Sequence, residues 1–247
     1  FPAVCGHVCN RRCEDACTRG TIDEAIAIDE VKKFIAMQDL KADTRYIPEP
    51  VVPATKGYFD EKIAIIGGGP AGLSCAFYLA HKPTVFEKNK KAGGMLVYGI
   101  PSFKLEKDVV EAEIDVMRQM GVDIKTGVEV GKDITIDELK KQGYKAFYIA
   151  IGCQGSRKAG VAGEDAKGVM SAVDFLKEAG STHEFPLEGD VVVIGGGNVA
   201  IDVARTSTRV GDYNVSMFCL EDRANMPASE EEIEEAVEEG VKLDCGW

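Results

Sequence analysis

Four cysteines stand at every fourth position near the start of the chain: Cys5, Cys9, Cys13 and Cys17. Thiolates at such short intervals can converge on a soft metal centre, because each loop or helical turn presents one sulfur. Tetrahedral zinc usually takes two C-x2-C pairs separated by a longer loop, a pattern that this sequence lacks. We therefore expect an iron–sulfur cluster here, with zinc as the less favoured alternative and four merely structural cysteines as the least favoured.

A glycine turn of the form G-x-G-x-x-G, with Gly67, Gly69 and Gly72, follows a short apolar run. In a strand–turn–helix unit the first glycine makes the turn, the second admits a pyrophosphate, and the third lets the helix pack closely. The helix N-terminus offers free N–H groups and a partial positive charge to the phosphates. Glu87 follows at the end of the next apolar run, where a carboxylate can accept hydrogen bonds from ribose hydroxyls. The sequence therefore predicts a bound dinucleotide rather than an ordinary glycine loop.

A second turn, G-x-G-x-x-A, is formed by Gly195, Gly197 and Ala200 after the apolar run 191–194. Alanine at the third position is a variant common in nicotinamide sites. One such unit is compatible with many enzymes, whereas two units predict a pair of cofactors that face each other. The repeat therefore indicates electron or hydride transfer.

The composition sets limits on the kind of protein. The 247 residues suit two domains with a short appendage, and the hydrophobic content of 45% is that of a globular protein. A formal net charge of −12 argues against binding to nucleic acid or to an anionic membrane. No apolar run approaches the roughly 20 residues that span a bilayer, and the N-terminus lacks a signal-peptide core. We expect a cytoplasmic protein with no membrane span.

The surrounding elements follow from periodicity. Residues 21–40 predict a helix with a stripe of side chains packed into a core, formed by Ile26, Ile28, Val31, Phe34, Ile35 and Met37. The prolines within 41–60 predict a linker that leads to the first glycine turn. The acidic run after Ser229 predicts a capped helix with a solvated face.

These motifs together resemble the small (beta) subunit of glutamate synthase and its relatives. The relatives include the flavin-bearing N-terminal part of dihydropyrimidine dehydrogenase and subunits of electron-bifurcating flavoprotein complexes. The matching stretches cover nearly the whole chain in the family's order: GHVCNRRCEDAC, IAIIGGGPAGLSCAFYLA, GGMLVYGIPSFKL, AIG at 150–152, VVVIGGGNVAIDVART and NMPAS.

The resemblance implies an α/β fold: an N-terminal helical iron–sulfur domain followed by two Rossmann-like dinucleotide-binding domains of the disulfide-reductase type. We place the iron–sulfur domain at 1–50, the FAD domain at 51–168 and the NAD(P)H domain at 169–247. The FAD domain is expected to be partial, and the second domain to be cut short at Trp247.

The resemblance also implies the residues that hold each cofactor. For FAD these are Gly67, Gly69, Pro70, Ala71, Gly72, Glu87, Lys88, Gly94, Met95, Ile100, Val128, Ala150, Ile151 and Gly152. For the nicotinamide dinucleotide they are Gly195, Gly197, Asn198, Val199, Ala200, Arg205 and Glu221. For a [4Fe-4S] cluster, Cys9, Cys13 and Cys17 match the family's ligands, and Cys5 joins them as the fourth.

Two positions depart from the family's pattern. Relatives that use NADPH usually carry an arginine pair just after the second strand of the nicotinamide domain, and this chain has Cys219, Leu220, Glu221 and Asp222 at that place. A carboxylate pairs with a free 2′-hydroxyl and repels a 2′-phosphate, so Glu221 predicts NADH over NADPH, although Arg223 lies nearby. Several relatives also supply a Gln or Glu cluster ligand where this chain has Lys32, which cannot ligate. Either Cys5 completes one site, or the thiols divide between two clusters.

The sequence thus predicts electron flow from NADH through FAD to the cluster and on to other subunits of a redox complex. We expect no protein acid or base, and so no catalytic side chain. A thioredoxin-reductase-like disulfide reductase is less favoured, because it needs a C-x-x-C pair whereas Cys153, Cys219 and Cys245 are isolated in the sequence. A non-catalytic subunit that only holds cofactors is the third alternative.

Overall fold

The computed structural model describes residues 1–49, 61–79, 83–156, 158–182, 185–186, 189–211 and 214–247, without the side chains of residues 181 and 182. It divides into two compact units, one formed by Phe1–Val97 and Ser102–Cys153, the other by Tyr98–Pro101 and Gln154–Trp247. Most of the predicted linker, residues 50–60, lies outside the described residues. None of the described helices has the length and apolar character that crossing a membrane requires.

The N-terminal region of the first unit is helical, as predicted. It contains α1 (Pro2–Val8), α2 (Arg12–Asp15), a 3-10 turn (Thr18–Thr21) and α3 (Ile28–Lys41). Helix α1 packs on α3 at Gly6, where a Cβ atom would lie only 2.7 Å from the Cα atom of Lys33. The absence of a side chain at Gly6 therefore allows the two helices to approach this closely.

The predicted core stripe of residues 21–40 is wrong, and the helix that carries most of it, α3, begins only at Ile28. Phe34 is 64% exposed and Ile35 62%, and Ile26, Ile28 and Val31 are also exposed. Met37 is half-buried, while the buried positions of α3 are Asp29 and Ala36. The physical reason is the contact at Gly6, which turns the face containing Asp29, Lys33 and Ala36 toward α1 and leaves the apolar stripe on another face.

The rest of the first unit is a parallel sheet with helices. Its strands are β1 (Lys62–Ile66), β2 (Pro83–Glu87), β3 (Asp123–Thr126) and β4 (Tyr144–Ile149), in the order β3-β2-β1-β4. Its helices are α4 (Pro70–Leu79), α5 (Met95–Tyr98, whose last residue belongs to the second unit), α6 (Lys107–Gln119) and α7 (Ile136–Lys141). This strand order is that of a dinucleotide-binding fold, and the order reverses between β1 and β4, where ligands bind.

The second unit contains a three-stranded parallel sheet, β5 (Val191–Ile194), β6 (Val215–Cys219) and β7 (Lys242–Cys245), in that order. Its helices are α8 (Ala172–Thr182), α9 (Asn198–Val210), a 3-10 turn (Arg223–Asn225) and α10 (Glu230–Glu238). Its core includes Val193, Ile201, Met217 and Ile233. The acidic run forms α10, as predicted, and Ser229 is its N-cap residue, but the Ser229 side chain makes no capping hydrogen bond, so the predicted cap is wrong.

The register of this second sheet corrects one expectation. Cys219 and Cys245, which are isolated in the sequence, are direct partners on β6 and β7. They lie 26 residues apart along the chain, and only the parallel pairing of the two strands places them together.

Candidate functional site

The first glycine turn is built on close backbone contacts. Gly67 has a φ of +107°, and a Cβ atom on it would lie 2.3 Å from the carbonyl oxygen of Ala150. The N–H of Ala150 donates to the carbonyl of Ile66 at 2.8 Å, so the end of β4 runs beside the turn. Only glycine fits this position. The structure thus brings the predicted residues Gly67 and Ala150 together at the point where the strand order reverses.

Other glycines complete the same cradle. A Cβ atom on Gly72 would lie 2.0 Å from the carbonyl oxygen of Gly67, and one on Gly94 would lie 2.8 Å from the Cα atom of Gly69. The N–H of Gly93 donates to the carbonyl of Gly68 at 2.7 Å. The segment after β2 therefore folds against the first turn, and this concave backbone surface fits the close approach of a pyrophosphate.

The remaining predicted FAD residues lie as follows. Pro70 and Ala71 open helix α4, and Met95 opens α5 directly after Gly94. Lys88 is exposed, and Ile151 and Gly152 continue beyond the end of β4. Ile100 belongs to the second compact unit, so the structure does not place it in the same unit as Gly67.

Glu87 is buried at the end of β2, and its side chain accepts a hydrogen bond from the first glycine turn. Its Oε2 accepts a hydrogen bond from the N–H of Gly68 at 2.7 Å, and its Oε1 accepts two from Asn89, each at 2.8 Å. Its carbonyl accepts from the N–H of Val128 at 2.9 Å, which explains why Val128 lies beside it. A carboxylate has about four lone-pair directions, so it retains capacity for a ribose hydroxyl. Glu87 therefore fits its predicted role and also fixes the turn.

The second turn repeats this arrangement. The N–H of Gly195 donates to the carbonyl of Phe218 at 2.9 Å, just as Gly67 donates to Phe86 at 2.8 Å. The residue after Phe86 is Glu87, and the residue after Phe218 is Cys219. In the second unit a cysteine thus occupies the backbone position that Glu87 occupies in the first.

A carboxylate nevertheless reaches the same place from further along the chain. A Cβ atom on Gly68 would lie 3.1 Å from Oε2 of Glu87, and a Cβ atom on Gly196 would lie 3.2 Å from Oε2 of Glu221. Glu221, two residues after Cys219, therefore places its carboxylate against the second turn as Glu87 does against the first.

The other predicted nicotinamide residues begin α9. Gly197 is its N-cap residue, and Asn198, Val199 and Ala200 form its first turn. The side-chain oxygen of Asn198 accepts from the N–H of Ser229 at 3.0 Å, and the carbonyl of Gly196 accepts from Ala228 at 3.0 Å. The second turn is thus fastened to the segment that leads into α10.

Arg205 joins α9 to α10. Its Nε and Nη2 donate to Oε1 of Glu239 at 3.0 and 2.6 Å, and its Nη1 donates to Glu235. Burial disfavours the charged guanidinium, but the carboxylates of Glu239 and Glu235 outweigh it and raise the pKa of Arg205. The side chain thus has a structural role, and its contact with a nucleotide stays a prediction.

The four N-terminal cysteines lie along the helices in sequence order. Cys5 is in α1, Cys9 follows its last residue, Cys13 is in α2, and Cys17 precedes the 3-10 turn. All four are free thiols. Within the ranges that the structure describes, no three histidine, cysteine or acidic side chains form a group that could hold a metal ion. The structure therefore does not bring the four predicted ligands together.

Their chemical surroundings fit a thiolate-bound cluster. Backbone hydrogen bonds from Ile26, Arg19 and Gly20 lower the pKa of Cys17. Lys32, which bonds Asp29 at 2.5 Å, has its pKa raised first by that contact and also by Cys9 and Cys5. Donors and a positive charge near thiols favour the thiolate form that ligates iron.

One residue that sequence reasoning missed anchors the cysteine-bearing helix. Glu113 on α6 is buried, and its two oxygens accept from the N–H groups of Ala3 at 2.8 Å and Val4 at 3.2 Å. These are orphan donors at the start of α1, and a carboxylate there also interacts favourably with the helix dipole. No sequence signal identifies the contact, because it joins residues about 110 positions apart.

Two family models match the chain. Residues 1–44 match domain II of dihydropyrimidine dehydrogenase, described with a 4Fe-4S cluster, and residues 61–246 match the pyridine nucleotide-disulphide oxidoreductases. The chain belongs to the pyridine nucleotide-disulphide oxidoreductase family. The match confirms the predicted class, an NAD(P)H-dependent oxidoreductase with an iron–sulfur region at its N-terminus.

Curated relatives agree with this assignment. The beta subunit of the NADP(+)-dependent formate dehydrogenase of Moorella thermoacetica is 41% identical over 96% of this chain and 37% of that protein. The small chain of the NADPH glutamate synthase of Escherichia coli is 38% identical over 98% of this chain and 54% of that protein. The resemblance to the glutamate synthase small subunit is thereby confirmed. The chain spans about half or less of the length of these relatives.

A solved structure confirms the fold. FprA of Mycobacterium tuberculosis in complex with NADPH has a TM-score of 0.61 at 21% identity, over 73% of this chain and 48% of that protein. The likeness is one of fold, and it confirms the predicted Rossmann-like dinucleotide-binding fold.

Proposed function

We propose that this chain carries electrons between a nicotinamide dinucleotide, FAD and a [4Fe-4S] cluster on behalf of a partner subunit in the cytoplasm. The observation that carries the proposal is the repeated turn, in which the N–H groups of Gly67 and Gly195 each donate to the next strand along the chain, and a carboxylate lies against the glycine that follows. Two such turns suit two dinucleotides, and two dinucleotides in one oxidoreductase suit hydride transfer. The relatives named as subunits support a partner.

The first turn is the proposed FAD site. The N-terminus of α4 would stabilise the diphosphate, while the Gly69–Gly94 contact keeps side chains out of its path. Glu87 would accept hydrogen bonds from the ribose while it holds Gly68. When bound, FAD supplies the capacity to accept two electrons together and release them one at a time. No protein acid or base is required for this exchange.

The second turn is the proposed NADH site. The carboxylate of Glu221 near Gly196 would accept hydrogen bonds from a ribose 2′-hydroxyl and would repel a 2′-phosphate. Arg223, the nearest basic residue along the chain, donates to both carboxylate oxygens of Glu230, at 2.9 and 2.5 Å, and this pairing reduces its availability to a phosphate. The names of the relatives point to NADP(H), so the coenzyme is the property in which we expect this chain to differ from them.

The cluster would be held by Cys5, Cys9, Cys13 and Cys17. The match to a 4Fe-4S model over residues 1–44 supports iron–sulfur over zinc. Their thiols would have to converge as the cluster binds, because the described structure does not gather them. Ligand binding and local ordering are commonly coupled in metal sites.

Cofactor analysis of variants tests this assignment. The holoprotein, purified with its partner subunits under anaerobic conditions, is assayed for flavin, iron and acid-labile sulfide. Gly67→Ala should lower the flavin content and spare iron, because the added Cβ atom meets Ala150 in the first turn. Cys13→Ser should lower iron and sulfide and spare flavin. Zinc in place of iron, or flavin retained in full by Gly67→Ala, would contradict the assignment.

A further inference from the structure

Two thiols lie side by side at the carboxyl end of the second sheet. Cys219 ends β6 and Cys245 ends β7, and the two residues are register partners on parallel strands. Neighbouring strands are about 4.8 Å apart, and register partners direct their side chains to the same face. That spacing falls within the range of about 4.4–6.8 Å found between the Cα atoms of disulfide-bonded cysteines. Both thiols are free in the structure.

The two thiols differ in their surroundings. Cys219 is buried, and its Sγ donates to the carbonyl of Glu221 at 3.3 Å. Cys245 is half-buried, and its Sγ lies 3.8 Å from Sδ of Met226. Burial, with the Cys245 thiol beside it, raises the pKa of Cys219 to about 11. Cys245 is therefore the thiol that a small reagent reaches first.

The pair lies directly under the second glycine turn. A Cβ atom on Gly196 would lie 3.1 Å from the Cβ atom of Cys219. The N–H of Gly246, the residue after Cys245, donates to the carbonyls of both Cys219 and Glu221 at 3.0 Å. Formation of a bond between the two cysteines would therefore be transmitted to Glu221 through a single residue, Gly246.

We propose that Cys219 and Cys245 form a reversible disulfide by exchange with a low-molecular-weight disulfide, and that this bond weakens nucleotide binding at the Gly195 turn. The second half of the proposal rests on the proposed NADH site. Comparison of the two glycine turns points to this dithiol site, because Cys219 occupies the backbone position that Glu87 occupies in the first unit.

The exchange balances without any further reagent. The Cys245 thiolate attacks the small disulfide, forms a mixed disulfide and releases one small thiol. The Cys219 sulfur then displaces the second small thiol and closes the Cys219–Cys245 bond. Two cysteine thiols are oxidised, one small disulfide is reduced to two thiols, and the two protons pass to those thiols.

In the reduced protein both thiols make contacts that support the second glycine turn. The disulfide weakens binding because it removes those contacts. The bond takes Cys245 away from Met226 and Cys219 away from the carbonyl of Glu221. The segment after Met226 is the one that bonds Gly196 through Ala228. We expect NADH to bind about tenfold more weakly to the oxidised form, a size common for coupling between sites.

Peptide mapping tests the bond independently of nucleotide binding. The reduced holoprotein is equilibrated anaerobically with mixtures of reduced and oxidised glutathione, alkylated and digested with trypsin. Cleavage after Arg209, Arg223 and Lys242 places Cys219 in the peptide 210–223 and Cys245 in a peptide that begins at Leu243. A linked pair of these peptides, lost on treatment with dithiothreitol, is the expected result. Its absence at the highest share of oxidised glutathione would overturn the proposal.

Nucleotide affinity is then measured on the same samples by isothermal titration with NADH. Cys245→Ser and Cys219→Ser should each abolish the linked peptide and make the affinity independent of glutathione, whereas Cys153→Ser, at an exposed cysteine, should change neither result. A linked peptide with unchanged NADH affinity would overturn the regulatory half. If the reduced protein binds no NADH, the proposed coenzyme site fails, and the linked peptide still decides whether the dithiol site exists.

Discussion

Glu221 and Glu87 place their carboxylates in nearly the same way: a Cβ atom on Gly196 would lie 3.2 Å from Oε2 of Glu221, and one on Gly68 would lie 3.1 Å from Oε2 of Glu87. The two carboxylates come from different positions relative to their strands, since the residue equivalent to Glu87 is Cys219. Each carboxylate lies against its glycine turn, where the proposed function has it accept a hydrogen bond from a ribose hydroxyl. Under the proposed function, coenzyme choice in the second unit would depend on Glu221, which lies two residues after the position equivalent to Glu87.

The coenzyme preference should reverse on substitution of Glu221. Glu221→Arg should lower NADH affinity and raise NADPH affinity, because a guanidinium attracts the 2′-phosphate that the carboxylate repels. Glu221→Gln should weaken NADH by roughly tenfold, the cost of losing a charge-assisted hydrogen bond. Titration with both coenzymes measures the ratio. Glu238→Gln, at an exposed position of α10, is the charge-matched control and should leave it unchanged. A wild-type preference for NADPH would contradict the role given to Glu221.

Flavin retention should depend on the charge of Glu87. Both carboxylate oxygens of Glu87 accept hydrogen bonds, one from Gly68 and the other from Asn89. In Glu87→Gln an NH₂ group replaces one of these oxygens, so one buried donor loses its acceptor. We expect the variant to lose most of its flavin during purification, while iron content stays constant. Flavin absorbance per protein after gel filtration checks this. Glu61→Gln, an exposed site just before β1, is the control. Full flavin occupancy in Glu87→Gln would show that the carboxylate is dispensable.

The anchor between Glu113 and α1 should be measurable at single amides. Glu113→Gln keeps one acceptor but removes the charge, so the N–H groups of Ala3 and Val4 should exchange faster with deuterium. We expect a loss of about 1–3 kcal/mol in the free energy of unfolding, as for other buried hydrogen bonds to charged groups. Glu111→Gln, on the exposed face of the same helix, is the matched control. Unchanged exchange at both amides would refute the anchoring role.

The ion pairs between α9 and α10 should make stability depend on pH in acid. Burial raises the pKa of Glu239, but hydrogen bonds from Arg209 and Arg205 outweigh it and lower the pKa below the ordinary 4.5. A group with a lowered folded pKa contributes stability that is present above 4.5 and is lost as the pH falls through the folded value. Urea unfolding between pH 7 and pH 3 should show this loss, and Glu239→Gln should reduce it. An equal acid dependence in both proteins would contradict the assignment.

Much of this architecture could be predicted because its signals are local. The spacing of Gly67, Gly69 and Gly72 identifies a strand–turn–helix unit without reference to distant residues, and the same holds for the turn at Gly195. The dinucleotide folds, α10 and the family were accordingly predicted correctly.

The features that the sequence did not reveal depend on contacts between distant residues. Cys219 and Cys245 meet only through strand register, and Glu113 bonds Ala3, which lies 110 positions earlier in the chain. The apolar stripe of α3 shows the opposite error. Its periodicity predicted burial, but the packing of Gly6 on Lys33 selected a different face, which leaves Phe34 exposed.

Anaerobic reduction of the holoprotein by NADH tests the central claim most directly. Two dinucleotide turns and a cluster acting in series predict that NADH bleaches the flavin absorption at about 450 nm and then reduces the iron–sulfur centre, seen by electron paramagnetic resonance. Gly195→Ala, with a side chain at a φ of +137°, should slow bleaching by NADH and leave reduction by dithionite intact. A protein that contains flavin and iron but in which NADH reduces neither would contradict the account.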